Sequence, residues 1–207
     1  PGIEACIANH PVLEPALLYG GAPCKALRHK FLMAQESECH DITSPDFPAE
    51  IEIIPLHGHI FDMVGYRTPD DIVFLADCVS SAATLEKYKI GYLYDVQAYL
   101  DTLDFVDTLS ARLFVPSHTE PTEDIHELTE INRRSVLEVQ DKILSICVEP
   151  MNFEAILQRI FTDYALTLNF EQYALIGSTL RSYLSWLLDS GKLAVSFEDN
   201  MLLWKAV

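Results

Sequence analysis

Apolar residues fall along this chain in two rhythms. Between residues 51 and 115, short apolar runs alternate with turn signals; beyond about residue 135 the spacing is helical almost to the end. In the first region Ile51, Ile53 and Ile54 predict a strand over 51–56, Met63 to Tyr66 a short second strand, and Ile72-Val73-Phe74-Leu75-Ala76 a strand over 71–76, with a turn at Pro69-Asp70 between the last two. Leu93, Val96, Leu100, Leu103, Val106 and Leu109 recur at helical spacing and predict one amphipathic helix over 93–111. Leu113-Phe114-Val115 follows as a strand, and Ile125, Leu128 and Ile131 mark a further helix. Ahead of all this, Asn9 to Pro15 predicts a turn and a short helix. Strand, helix and strand in alternation predict a layered α/β domain.

The second region reads differently. Val136, Val139, Ile143, Leu144 and Ile146 predict a helix that stops before Pro150. Asn152 is placed to cap a helix carrying Phe153, Ile156, Leu157, Ile160 and Phe161. Asn169 is placed to cap another with Leu175, Ile176, Leu180, Tyr183, Leu184 and Leu187, ended by Ser190-Gly191. Leu193 to Phe197 and Met201 to Trp204 flank Glu198-Asp199-Asn200, a hairpin signal. Three helices and a terminal hairpin predict a small winged-helix domain over 135–207, after a first domain over 1–134.

The composition narrows the function classes. A net charge of −17, from 31 acidic and 14 basic residues, argues against affinity built on phosphate neutralisation. The tail carries five basic against nine acidic residues, with one arginine, Arg181, on the would-be recognition helix and an acidic wing tip, so no nucleic-acid partner is expected. No apolar run reaches the ~18 residues of a membrane span, and no membrane partner is expected. Five cysteines (Cys6, Cys24, Cys39, Cys78, Cys147) form no CxxC, which fits reduced thiols in a cytoplasmic protein.

Candidate chemistry gathers at strand ends. The strand over 51–56 runs into His57-Gly58-His59, that over 71–76 into Asp77, and that over 113–115 into Pro116-Ser117-His118. A strand end is a rigid place from which to aim a side chain, and imidazoles with a carboxylate suit zinc and its first-row neighbours. His57 competes with His59, because one step in register exchanges them. Asp62 is a candidate partner for a ligand histidine. Cys39-His40-Asp41 is a weaker cluster, since adjacent residues in a polar loop seldom converge.

The segment from His57 to His118 resembles the metallo-β-lactamase superfamily. Its members place a metal-binding histidine in a Gly-His step (here Gly58-His59), a bridging aspartate in a Gly-Asp step (here Ala76-Asp77) and a last histidine in a Pro-Gly-His step (here Pro116-Ser117-His118). Ala76 and Ser117 stand where glycine is usual. The resemblance implies a partial αββα sandwich and a hydrolase in which two divalent metal ions, zinc by donor type, activate water as a metal-bound hydroxide against a small-molecule substrate. His59 would serve one metal, His118 the other, and Asp77 would bridge.

The family's main signature, HxHxDH, does not occur in these 207 residues. This chain by itself is therefore expected to bind metal weakly or not at all, because a catalytic zinc takes about three protein ligands. The expectation is a fragment of a longer hydrolase whose missing N-terminal segment, or a second copy in a homo-oligomer, covers an exposed sheet. The alternatives are an inactive interaction module of the same descent and a nucleic-acid-binding winged-helix protein.

Overall fold

The computed structural model describes residues 12–30, 32–33 and 41–207. A short helix α1 (Leu13–Tyr19) is closed by Gly20 at φ 77°, and a 3-10 turn follows at Lys25–Leu27. The central sheet has the order β1 (Glu52–Pro55), β2 (Val64–Arg67), β3 (Ile72–Ser80), β4 (Leu113–His118). Its first two pairings are antiparallel and β3–β4 is parallel. Parallel neighbours need a crossover; here it contains α2 (Ala82–Tyr88) and α3 (Val96–Asp107).

One face of the sheet is buried. Ile54, Leu56, Val73, Leu75 and Phe114 point into a core closed by Val96, Leu100, Leu103 and Val106 of α3. These α3 residues recur every three or four positions, so a single stripe meets the sheet. The opposite face carries a row that crosses all four strands: Ile53 pairs with Tyr66, Tyr66 with Phe74, and Phe74 with Val115. None of these four is fully buried, and Phe74 is 41% exposed.

Helix α4 runs unbroken over 21 residues (His126–Ile146). Two helices were expected here. No glycine or proline occurs between Pro121 and Pro150, so nothing interrupts the ladder. The domain boundary expected at 134/135 falls inside this helix, and one buried cluster extends from Ile54 to Leu193 on both sides of it. Helices α5 (Phe153–Asp163) and α6 (Phe170–Asp189) begin as expected: the side chains of Asn152 and Asn169 accept from the backbone N–H of Ala155 and Gln172. A hairpin, β5 (Leu193–Glu198) and β6 (Met201–Ala206), turns through Asp199 and Asn200 at φ 48° and 61°. Met151 pairs with Trp204 and adds one bridge to its edge.

Helix α6 is tied to the segment before α3 and to the first turn of α3. The backbone N–H of Leu93 donates to Thr179 Oγ1 (3.3 Å), Ser182 Oγ donates to the Tyr94 carbonyl (2.8 Å), and Trp186 Nε1 donates to Gln97 Oε1 (2.8 Å). Among the described residues, no helix is long and apolar enough to cross a membrane.

Candidate metal centre

The loop after β1 is fixed by a glycine that no other residue can replace. Gly58 has φ 111°, and a Cβ on it would lie 2.2 Å from the Tyr99 backbone nitrogen and 2.3 Å from the Tyr99 Cα. The Gly58 carbonyl accepts from the N–H groups of Tyr94 and Asp95, 3.0 Å each, so the loop is bolted to the start of α3. His59 therefore leaves a rigid base. Its ring meets Tyr92 edge-on at 5.5 Å between centroids and is hydrogen-bonded to the Tyr92 backbone.

Asp77 does not end its strand; β3 continues to Ser80. The local ladder is nevertheless broken. Ala76 has φ 46°, and the β3–β4 register slips between Phe74 and Ala76 and again between Ala76 and Ser80. The inward–outward alternation fails at this point, which turns Asp77 toward the rim. His118 is the last residue of β4. Its carbonyl is approached by the Ser81 N–H (3.5 Å) and Thr84 Oγ1 (3.4 Å), and Ser81 also caps α2.

These three side chains meet. His59 Nε2 is 3.6 Å from Asp77 Oδ2, and His118 Nε2 is 3.3 Å from Asp77 Oδ1. Both separations exceed a good N–H···O hydrogen bond. The carboxylate stands between the rings with one oxygen toward each. Burial holds the His59 imidazole below its ordinary pKa; the Asp77 charge and the Tyr92 backbone bond oppose this, and the neighbouring His118 adds to it. A neutral imidazole is the form that binds metal.

The donor types suit divalent metal, but the set is short. Among the described residues, no group of three or more His, Cys, Asp or Glu is placed to hold one ion. The two imidazoles address different oxygens of the one Asp77 carboxylate. His57 stays outside: it is exposed, and its Nδ1 lies 2.8 Å from the Phe61 carbonyl. Asp62 is exposed and bonds to neither histidine. Cys39 and His40 lie outside the described residues.

Asn132 was not foreseen. It is 2% exposed, and every polar atom of its side chain is used. Its Nδ2 donates to the carbonyls of Ser80 (2.8 Å) and Leu128 (2.8 Å). Its Oδ1 accepts from the Ser80 N–H (3.1 Å) and the Tyr99 hydroxyl (3.3 Å). It thus anchors the end of β3, three residues past Asp77, to α3 and α4.

No family model matches the sequence, and no curated protein does. Solved structures do match. A β-lactamase domain protein from Burkholderia ambifaria superposes over 84% of this chain with a TM-score of 0.61 at 15% identity. A metallo-β-lactamase family protein from Thermus thermophilus superposes over 93% with a TM-score of 0.66 at 11% identity. The chain spans 53% and 62% of the length of those two proteins. Over the part that it spans, the chain has the fold of metallo-β-lactamase proteins.

Proposed function

We propose that the chain is the C-terminal part of a metal-dependent hydrolase, and that its rim of His59, Asp77 and His118 is one side of a two-metal site. The observation that carries this is Asp77 standing between two imidazoles with one oxygen toward each. A carboxylate so placed can bridge two ions, each with one private histidine. Zinc fits imidazole and carboxylate donors, and a zinc pair supports hydrolysis. The remaining ligands come from outside the described residues, since the set present is incomplete for even one ion.

The outer face of the sheet supports the same reading. The row Ile53, Tyr66, Phe74, Val115 is apolar across all four strands, and a continuous apolar face of this kind is normally covered. Phe47 of this chain stacks on Tyr66 and covers part of the row; we assign the rest, around the exposed Phe74, to a further layer, from the segment that brings the missing ligands or from a second copy. Helices α4 to α6 with the hairpin follow the order of a winged helix, with the Met151–Trp204 bridge as a short extra strand. A nucleic-acid role for this unit finds no support: Arg181 is spent on the Gly177 carbonyl (3.2 Å) and on the Phe153 ring (3.9 Å).

The test is a zinc titration of the 207-residue chain followed by histidine NMR. Weak binding is expected, with the His59 and His118 rings shifting together and His57 unmoved, and His59→Ala should abolish the response. Silence at both rings up to millimolar zinc would favour the inactive interaction module instead.

A further inference from the structure

We infer that the rim continues into a ligand cleft whose selecting wall is α6, and that this cleft takes a small, neutral molecule with an apolar body. This deepens the reading above and rests on it only for the identity of the reactive end. The cleft has a volume of about 620 Å³, and both His59 and His118 line it. That is the size of cavities that enclose small organic ligands. On one side stand Ala83 and Tyr88 of α2 with Ile90 and Tyr92 of the following loop; on the other stand Leu175 and Ile176 of α6. Apart from the histidines, the charged residues at the cleft are Lys87 and Glu171, which cancel. Beyond the rim, where the Asp77 carboxylate stands between the two histidines, the recess has no net charge, and Ser80, Thr84, Gln172 and Thr179 add uncharged polar groups to its apolar walls, which suits neither a polyanion nor a cation.

The α6 wall is held in place. Thr179, at the inner end of that wall, accepts from the Leu93 N–H, and Ser182 donates to the Tyr94 carbonyl. The Tyr94 N–H in turn bonds the carbonyls of Gly58 and His59. Hydrogen bonds thus run from α6 to the histidine loop, and the distance from wall to rim is fixed rather than left to a flexible tail. A preformed wall lets apolar contact discriminate among ligands without an ordering cost.

The experiment is a fluorescence titration of the intact chain with the neutral apolar probe N-phenyl-1-naphthylamine, followed by displacement with linear alkan-1-ols from butanol to decanol. Saturable binding at one site per chain is expected, with displacement tightening about threefold to fourfold per added methylene until the cleft is filled. Ala83 is exposed on α2, so Ala83→Trp plugs the cleft without disturbing the core. It should weaken the probe at least about tenfold with an unchanged melting temperature. Ala194→Trp, on the exposed hairpin, should change nothing. Probe binding that does not saturate, that survives Ala83→Trp, or that disappears in Phe197→Ser overturns the inference. Loss of the zinc response with probe binding intact would remove the metal reading and leave the cleft standing.

Discussion

Strands β5 and β6 run through six residue pairs without a slip, whereas β3 and β4 slip twice within five. In the hairpin, positive φ is confined to the turn, at Asp199 and Asn200, residues that tolerate it. In β3 it falls on Ala76, inside the strand and next to Asp77. The hairpin ends in an exposed Phe197 that touches little; the irregular pair ends in Asp77 and His118. Regular pairing lets local sequence alone build the structure. The broken ladder carries a strained Ala76 and is tied at Ser80 by Asn132, and it brings Asp77 and His118 beside the His59 that the Gly58 loop presents.

That contrast can be broken most sharply at Gly58. Gly58→Ala puts a methyl within 2.2 Å of the Tyr99 backbone at φ 111°, and no side-chain rearrangement relieves a backbone clash. We expect a loss of more than about 4 kcal/mol, with circular dichroism showing a chain that no longer unfolds cooperatively. Phe197→Ser at the hairpin tip should stay within about 0.5 kcal/mol of the parent. Near-parental urea unfolding of Gly58→Ala would mean that the histidine loop is not wedged against α3.

The next effect is at Asn132. Asn132→Ala takes this partner from the part-buried Ser80 N–H and carbonyl and from the buried Tyr99 hydroxyl, at a cost of about 2–4 kcal/mol in urea unfolding. Asn152→Ala removes only a helix cap in the tail, which costs about 1 kcal/mol. Equal losses from the two substitutions would show that the buried amide is no more than another cap. The smallest change runs the other way. Ala76→Gly relieves a left-handed alanine and should stabilise the chain by about 1 kcal/mol, read as a higher denaturation midpoint with an unchanged urea slope.

Much of this layout was legible in the sequence, and the exceptions share a cause. The strands, α3, both asparagine caps and the hairpin turn were all signalled by local pattern. The two steps where glycine is usual in the resembled family differ: Ser117 lies in the body of β4, while Ala76 adopts the backbone that favours glycine and accepts the strain. Helix α2 escaped notice because none of its seven residues is buried, so it carries no apolar period. Asn132 escaped because a buried, fully bonded asparagine looks like any surface asparagine until the strand that it holds is in place. The nearness of His59, Asp77 and His118 was signalled by their places after apolar runs, although β3 goes on past Asp77 to Ser80 and His59 lies in the loop beyond β1. The aim of Asp77 was not, since it depends on register slips that pairing alone creates.

The unbroken α4 has a practical corollary. A cut or splice after residue 134 would divide a continuous rod just past the amide that clasps the end of β3. Anyone transplanting the C-terminal helices onto another scaffold, or expressing the sheet without them, would separate Asn132 from half of the helix that positions it. The two halves share one helix and one buried cluster, so each loses part of its core without the other.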